Sequence, residues 1–467
     1  MKDNVFRKYD IRGRVGEELD IDRVYDLGRA IAYYFIENKP EIKTVAVGMD
    51  GRNHSLPIKK HLCRALMDSG LDVIFVGVCA SPVLYFTLFD QDVDAGLMVT
   101  ASHNPKEYNG IKICLDKKMV CGQEVQKIKN YFKEGKSVKS QRTTRYVNQP
   151  MVGAYVDHLK ERFPHLVGMD LSAIVDCGNG AGGAVMPDLV KKMEWKNVMI
   201  LFAEVDGDYP NHEADPVVEE NMRFVKKVLA ESDVQVGIGF DGDADRMAPM
   251  TKDGYLVPGD KLLAIYAQPI LQKNIGSSVV FDIKASQGLI DVIKKHGGKP
   301  VMSPSGHSII KKHMSENNSL LGGELSCHFF FADRYFGYDD GVYAMLRLFE
   351  IMRDSGKTLK ELVQEFPKKI SSPEIRIKCA DDKKKEVVKD AKILFAKRDD
   401  AKVVTLDGVR ASMDYGWGIL RVSNTQPVVS LRFESDTQEG LEKVKEDFFN
   451  AMLPHFDKDF LRGQIDL

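Results

Sequence analysis

Along most of the chain, short apolar runs closed by turn residues alternate with segments whose apolar positions recur every three to four residues. That alternation predicts strand–helix–strand units on largely parallel sheets. Residues 44–50, 72–78 and 95–101 read as strands, with helices over 56–69 and 83–89 between them. A second unit opens with a strand at 173–177, continues through helices near 185–193 and 217–231, and closes on a strand at 234–240. A third repeats strand, helix, strand, helix, strand over 278–283, 287–295, 300–303, 308–316 and 319–325, followed by a helix at 342–354. From about residue 370 the rhythm changes to strands at 374–378, 403–413, 418–422 and 428–434 and helices at 384–397 and 438–452. The fold class expected is α/β: three similar domains on mixed or parallel sheets plus a C-terminal α+β domain, divided at 1–147, 148–250, 251–367 and 368–467. What repeats is the architecture, not the residues.

A length of 467 residues fits three or four domains. With 29% charged and 43% hydrophobic residues, a disordered or collagen-like chain is excluded. A net charge of −2 without any basic tract leaves no electrostatic footprint for nucleic acid. The seven cysteines are odd in number, scattered and never spaced C-x-x-C, which points to reduced thiols in the cytoplasm and not to disulfides or zinc. The N-terminal residues are charged where a signal peptide is apolar. The longest uncharged run, 73–89, is broken by Gly77 and Ser81-Pro82 and falls short of the roughly 20 residues of a membrane span.

Four loops carry candidate chemistry. Thr100-Ala-Ser-His-Asn-Pro105 follows a buried strand, the place where open α/β sheets bind ligands. Ser102 is there either as an exposed nucleophile or as part of an ordinary Ser/Asn/Pro turn. No G-x-S-x-G elbow accompanies it, which disfavours a hydrolase triad. Asp241-Gly-Asp-Ala-Asp-Arg246 sets three carboxylates at alternate positions on a turn, hard oxygen ligands suited to Mg²⁺. An EF-hand is excluded, because its sixth and twelfth positions here hold Arg246 and Lys252. In Gly322-Gly-Glu-Leu-Ser-Cys-His328, an extended backbone would send Glu324 and Ser326 to one face, toward vicinal sugar hydroxyls. A buried Glu satisfied by backbone donors is the other reading. Arg421-Val-Ser-Asn-Thr-Gln-Pro427 offers a planar guanidinium with Ser423, Asn424 and Thr425, an inventory that holds a phosphate dianion or builds a hairpin turn.

Gly178-Asn-Gly-Ala-Gly-Gly183 satisfies G-x-G-x-x-G after a strand, with Glu204 about 20 residues on, as a dinucleotide site would have it. That reading leaves the three-aspartate loop, Ser102 and the Arg421 loop unused. Tight glycine turns at a strand-to-helix junction are the simpler explanation.

Taken together and in this order, the four loops resemble those of the α-D-phosphohexomutases, and most closely their phosphomannomutase/phosphoglucomutase branch. Phe6-Arg-Lys-Tyr-Asp-Ile-Arg-Gly13, Gly48-Met-Asp-Gly-Arg52, Asn109-Gly-Ile-Lys112, Gly306-His-Ser308 and Asp407-Gly-Val-Arg410 extend the resemblance over essentially the whole chain. It implies four domains around a central cleft and reversible phosphate transfer between O1 and O6 of mannose or glucose phosphates through a phosphoserine and a hexose 1,6-bisphosphate. Other phosphosugars, such as glucosamine phosphate, are the alternative within the family. The resemblance makes Ser102 the carrier and places Mg²⁺ on Asp241, Asp243, Asp245 and the phosphoserine. His103, Lys112, Arg246 and His307 would be catalytic; Tyr9, Arg12, Lys284, Glu324, Ser326, His328, Arg421, Ser423, Asn424 and Thr425 would bind substrate. Leu325 and Cys327 depart from the branch, and Cys327 is expected to narrow the sugar pocket. The protein expected is a cytoplasmic monomer or dimer acting on a small phosphosugar, and the change in chain rhythm with Ser371-Ser372-Pro373 places a hinge near 367–373.

Overall fold

The computed structural model describes residues 1–380, 382–422 and 428–466. Its first sheet is seven-stranded, and its path runs Ile11–Arg14, Tyr108–Leu115, Ala95–Val99, Thr44–Met49, Asp72–Val78, Tyr146–Asn148. Thr44–Met49 lies parallel to both Ala95–Val99 and Asp72–Val78. Ala95–Val99 is buried at every position, as a strand covered on both faces must be. The sheet is mixed, because Tyr108–Leu115 returns antiparallel beside Ala95–Val99 and then pairs antiparallel with Ile11–Arg14. The helices Ser55–Asp68 and Ser81–Asp90 fall where the apolar periodicity places them. Val24–Asn38 and Gln123–Glu134, which pattern reading passes over, pack together over the same core.

The second sheet runs Met247–Thr251, Val236–Phe240, Ala173–Asp176, Val198–Leu201. Val236–Phe240 is parallel to Ala173–Asp176 but antiparallel to Met247–Thr251, with Phe240 opposite Met247. The three-aspartate loop is thus the tip of a hairpin, closed by a strand that the sequence pattern did not reveal. In the third span, Ser278–Asp282 lies parallel to Lys299–Ser303 and Leu321–Gly323, crossed by the helices Gln287–Lys295 and His307–Glu316.

The C-terminal sheet is antiparallel, built on Val428–Ser435 and Gly416–Val422, with Lys384–Ala396 and Gln438–Met452 as its helices. The single strand expected over 403–413 is two, Lys402–Val404 and Val409–Met413, folded into a hairpin. Gly408 turns the corner at φ +92°, where a Cβ would lie 2.3 Å from the Leu420 carbonyl oxygen. Ile370–Ser371 pairs with Val428–Ser435, and Ser372 N–H donates to the Phe433 carbonyl, so the segment is tied into the sheet.

The chain forms two compact units, Met1–Leu262 with Ser326–Val363, and Leu263–Leu325 with Gln364–Leu467. The third sheet's parallel strands therefore share a unit with the C-terminal domain, and buried arginines join them. Arg410 Nη1 donates to the carbonyls of Ile283 (2.6 Å) and Ala285 (2.7 Å) while its guanidinium lies 3.5 Å from the Trp417 ring centroid. Arg432 donates to the carbonyl between them, that of Lys284, at 2.5 Å. Arg410→Met would strand two buried carbonyls, and is expected to cost about 2–4 kcal/mol in urea unfolding; a loss under about 1 kcal/mol would show that the joint does not depend on this residue.

Candidate active site

The serine loop begins where Ala95–Val99 ends. Ser102 is 2% exposed and sits at φ +52°, a left-handed conformation uncommon outside glycine. Its N–H donates to Thr100 Oγ1 at 2.9 Å. Its hydroxyl donates to Asp241 Oδ2 at 2.7 Å and lies 3.1 Å from His103 Nδ1. Arg12 reaches the same loop, donating to Asn104 Oδ1 at 2.8 Å while paired with Asp10. Tyr9 is partly buried nearby in sequence, its ring 5.5 Å from Lys8 Nζ.

Asp241, Asp243 and Asp245 are at most 1% exposed, and they bring one oxygen each within 4.8 Å of one another. Each is also anchored. Lys112 Nζ lies 2.6 Å from Asp243 Oδ2 and 2.5 Å from Asp245 Oδ2. Ser81, at the start of its helix, donates its hydroxyl to Asp243 Oδ2 and its N–H to the Asp243 carbonyl. His328 Nε2 lies 3.1 Å from Asp245 Oδ1 and 3.2 Å from Arg246 Nε. Arg246 N–H donates to Asp241 Oδ1 at 3.1 Å.

Burial, then the charges of Asp245 and Asp243, pushes Asp241 well above the usual carboxylate range. Burial also opposes ionisation of Asp245, but Lys112 and His328 overcome it and hold this carboxyl well below that range. The same balance keeps Lys112 a firm cation: burial works against its charge, and Asp243 and Asp245 outweigh it. Burial followed by the positive charges of Arg246, Arg12 and His328 depresses His103 well below the ordinary imidazole value, so its ring is neutral near pH 7.

The glycine run has a different use from dinucleotide binding. Ala181 N–H donates to the Gly242 carbonyl at 2.9 Å, and a Cβ on Gly180 would lie 2.8 Å from that oxygen. A Cβ on Gly242 would in turn lie 2.4 Å from the Ser102 carbonyl oxygen. Gly180 and Gly242 are thus glycines because three backbones meet there. Glu204 offers its carbonyl to Asn179 Nδ2.

The sugar-type loop differs from its expectation. The strand ends at Gly323, so Glu324 and Ser326 do not share an extended face. Glu324 Oε1 accepts from Gly306 N–H at 2.6 Å, whereas Ser326 Oγ lies 3.5 Å from His328 Nδ1. Cys327 is 1% exposed at φ +67°, with its thiol pushed by burial up to about 12. Its side chain is enclosed by protein to the same degree as that of Ser102, at 2%.

The second unit holds the other predicted residues. Lys284 Nζ lies 3.6 Å from Asp282 Oδ2 and 3.9 Å from Glu374 Oε1. Arg421 donates through Nε (3.2 Å) and Nη2 (2.8 Å) to Asp407 Oδ2, so part of its donor fork is already engaged. His307 is buried at the start of His307–Glu316. Ser423, Asn424 and Thr425 lie outside the described residues. Sequence reading missed Arg52, Ser81, Asp282, Asp407 and Glu374. Arg52 and Asp407 stood inside quoted motifs, but only pairing gives them a role.

Asp243 Oδ1 is buried and has no hydrogen-bond partner among the described residues. An orphaned carboxylate oxygen amid three convergent acids is the donor set of a hard divalent cation, so the site can hold a metal ion. No helix among the described residues is long and apolar enough to cross a membrane.

Fold and site together define a multidomain α/β protein that holds a serine hydroxyl against a carboxylate cluster. Models of the phosphoglucomutase/phosphomannomutase alpha/beta/alpha domains I, II and III match residues 3–139, 153–254 and 258–370, and the model of the C-terminal domain matches 374–451. The chain is 39% identical over 464 residues to the phosphomannomutase/phosphoglucomutase of Pseudomonas syringae pv. tomato, covering 98% of each. It is 37% identical over 446 residues to the phosphoglucomutase of Neisseria gonorrhoeae, covering 95% of this chain and 96% of that one. A crystal structure of a phosphoglucomutase/phosphomannomutase family protein from Burkholderia thailandensis matches with a TM-score of 0.89 at 32% identity, over 98% of this chain and 99% of that one. The chain belongs to the phosphoglucomutase/phosphomannomutase family.

The Lys284 charge, ahead of burial, sets Glu374 and holds it down to about 2, against an ordinary value of 4.5. A depressed carboxyl adds stability above its unfolded pKa and loses it as the pH falls toward its folded one. Between pH 5 and pH 2 the wild type is expected to lose about 2–3 kcal/mol that Glu374→Gln does not lose. Urea midpoints across that range check this; parallel profiles would remove the ion pair as the cause.

Proposed function

We propose that this chain interconverts the 1- and 6-phosphates of mannose and of glucose through phosphorylated Ser102. The observation that carries the reading is the Ser102 hydroxyl, placed between Asp241 Oδ2 and His103 Nδ1 at the edge of the aspartate cluster. Family membership supports the same chemistry, since relatives bear both the phosphomannomutase and the phosphoglucomutase names.

In the forward half, a free sugar hydroxyl attacks the phosphoryl group on Ser102. The new phosphorus–oxygen bond to the sugar forms as the bond to Ser102 Oγ breaks, and the product is a hexose 1,6-bisphosphate. The sugar's proton passes to a neutral base, and His103 fits because its ring is unprotonated near pH 7. The released serine oxygen takes up the proton that His103 has accepted, across the 3.1 Å between His103 Nδ1 and Ser102 Oγ, and then donates to Asp241 Oδ2 as its hydrogen-bond partner. After the bisphosphate reorients, the other phosphoryl group returns to Ser102 by the reverse steps. Positioning and charge stabilisation do most of the work in such transfers.

Lys112 is assigned here to hold Asp243 and Asp245 and not to carry a proton, because both carboxylates keep it charged. Mg²⁺ bound by Asp241, Asp243, Asp245 and a phosphoserine oxygen would supply positive charge against the group in transfer. Arg246, anchored beside Asp241 and His328, adds a fixed cation from the protein. Lys284, His307, Glu324 and Arg421, with Ser423, Asn424 and Thr425, are assigned to the sugar and its non-reacting phosphate; Tyr9, Arg12, Ser326 and His328 to the reacting end. No disulfide joins the seven cysteines, all of them among the described residues, and the cytoplasm is the compartment that suits reduced thiols.

A coupled assay with mannose 1-phosphate and glucose 1-phosphate, Mg²⁺ and catalytic glucose 1,6-bisphosphate is expected to show turnover that EDTA abolishes. Ser102→Ala is expected to lose at least about a hundredfold in kcat. Failure of the wild type on both sugars would end this reading, and near-wild-type activity in Ser102→Ala would end the role of Ser102. With Cys327 1% exposed, Cys327→Gly is expected to leave the mannose-to-glucose ratio of kcat/KM within about twofold; a shift beyond about tenfold, the scale of a reshaped pocket, would make Cys327 a specificity residue.

A further inference from the structure

Arg52 is 3% exposed, and it meets the serine loop through backbone alone. Nη2 donates to the carbonyls of Ser102 (2.7 Å) and Asn104 (2.6 Å), and Nη1 to those of Pro105 (2.8 Å) and Tyr108 (3.1 Å). Four of the five guanidinium N–H groups thus meet backbone carbonyls, and Nε lies 3.2 Å from Asp50 Oδ2 as a charge contact without hydrogen-bond geometry. The Tyr209 ring centroid is 5.2 Å from the guanidinium carbon. Asp50 is fixed in turn, since its Oδ1 accepts from the Arg52 N–H at 3.1 Å and from the Ser55 hydroxyl at 2.5 Å.

Ser102 is consequently pinned on both sides, its N–H by Thr100 Oγ1 and its carbonyl by Arg52. Only the side-chain torsion is left to aim the hydroxyl. A left-handed serine costs on the order of 1–3 kcal/mol and persists where its surroundings over-determine it. Four carbonyls from a seven-residue stretch, 102–108, converging on one guanidinium provide that constraint. Lysine, with three donors on a flexible stem, cannot reproduce it.

Resting on the phosphoserine reading above, we infer that Arg52 is a positioning residue, which sets the backbone of the carrier serine without touching substrate. Its loss acts on the transfer step more than on sugar binding, because a shift of about 1 Å in a reacting group can cost about a hundredfold.

The test uses the full chain with Arg52→Lys, Arg52→Gln and Arg52→Ala. Steady-state kinetics on glucose 1-phosphate, intact-mass measurement of phosphate transfer from glucose 1,6-bisphosphate to Ser102, and thermal melting are read together. Arg52→Lys is expected to lose at least about tenfold and Arg52→Gln about a hundredfold in kcat, with KM within about threefold, and Ser102 phosphorylation slowed by the same factors. Guanidinium ion at tens of millimolar is expected to restore part of the kcat of Arg52→Ala and none in Arg52→Gln, where the side chain fills the space. A folded variant with wild-type kcat, or a raised KM at unchanged kcat, overturns the inference. So does failure of all three variants to fold, which would make Arg52 a support of the fold alone. A wild type without mutase turnover instead defeats the functional reading, an outcome seen before any variant is measured.

Discussion

Three carboxylates share one buried place, and most of the first unit can be understood as the means of tolerating them. Two like charges about 4 Å apart repel by roughly 4 kcal/mol at an effective dielectric near 20, and three make three such pairs. The protein answers with Lys112 between Asp243 and Asp245, His328 and Arg246 at the other edge, and hydroxyls from Ser81 and Ser102. Compensation is incomplete. Asp241 stays hard to ionise, and one oxygen of Asp243 keeps no partner among the described residues. A site left short of positive charge in this way can hold a cation.

The same constraint explains where glycine is indispensable. Charged loops must approach as backbone, since side chains would hold them apart and admit water. Gly180 under Gly242, and Gly242 under the Ser102 carbonyl, form a stack of close main-chain contacts linking the serine and aspartate loops. The G-x-G-x-x-G pattern arises here from that stacking. The pattern records a need for close approach and says nothing of what approaches, so a phosphate and a neighbouring loop leave the same trace in a sequence.

That distinction also marks what was legible beforehand. Strands with long apolar runs, such as Asp72–Val78 and Val428–Ser435, and the three catalytic-type loops in the described residues could be placed from local pattern and resemblance. Ile11–Arg14 could not, because its residues Ile-Arg-Gly-Arg become a strand only by pairing with Tyr108–Leu115 almost a hundred positions on. The hairpin Lys402–Val404/Val409–Met413 was hidden because its flanks are both apolar and the turn lies in a short polar interruption. Lys112 illustrates the limit for the site. Its motif flagged it, but its partners stand 131 and 133 residues away, so only the folded chain shows the cation set between Asp243 and Asp245.

A mutase that returns the second phosphate to the same serine needs a carrier end indifferent to which hydroxyl it meets, and a recognition end that keeps its grip on the sugar. The residues proposed for the two ends divide along that line. Ser102, His103, Lys112, Arg246 and the aspartates, proposed for phosphate and metal, belong to the first unit. Lys284, Glu324, Asp407 and Arg421 belong to the second, where Arg410 and Arg432 hold three consecutive carbonyls, from Ile283 to Ala285, around Lys284. Because those arginines are buried and their acceptors are main chain, the turn after Ser278–Asp282 that carries Lys284 cannot shift against the C-terminal sheet without breaking them. Lys284 is thereby held against the sheet whose strand Gly416–Val422 carries Arg421.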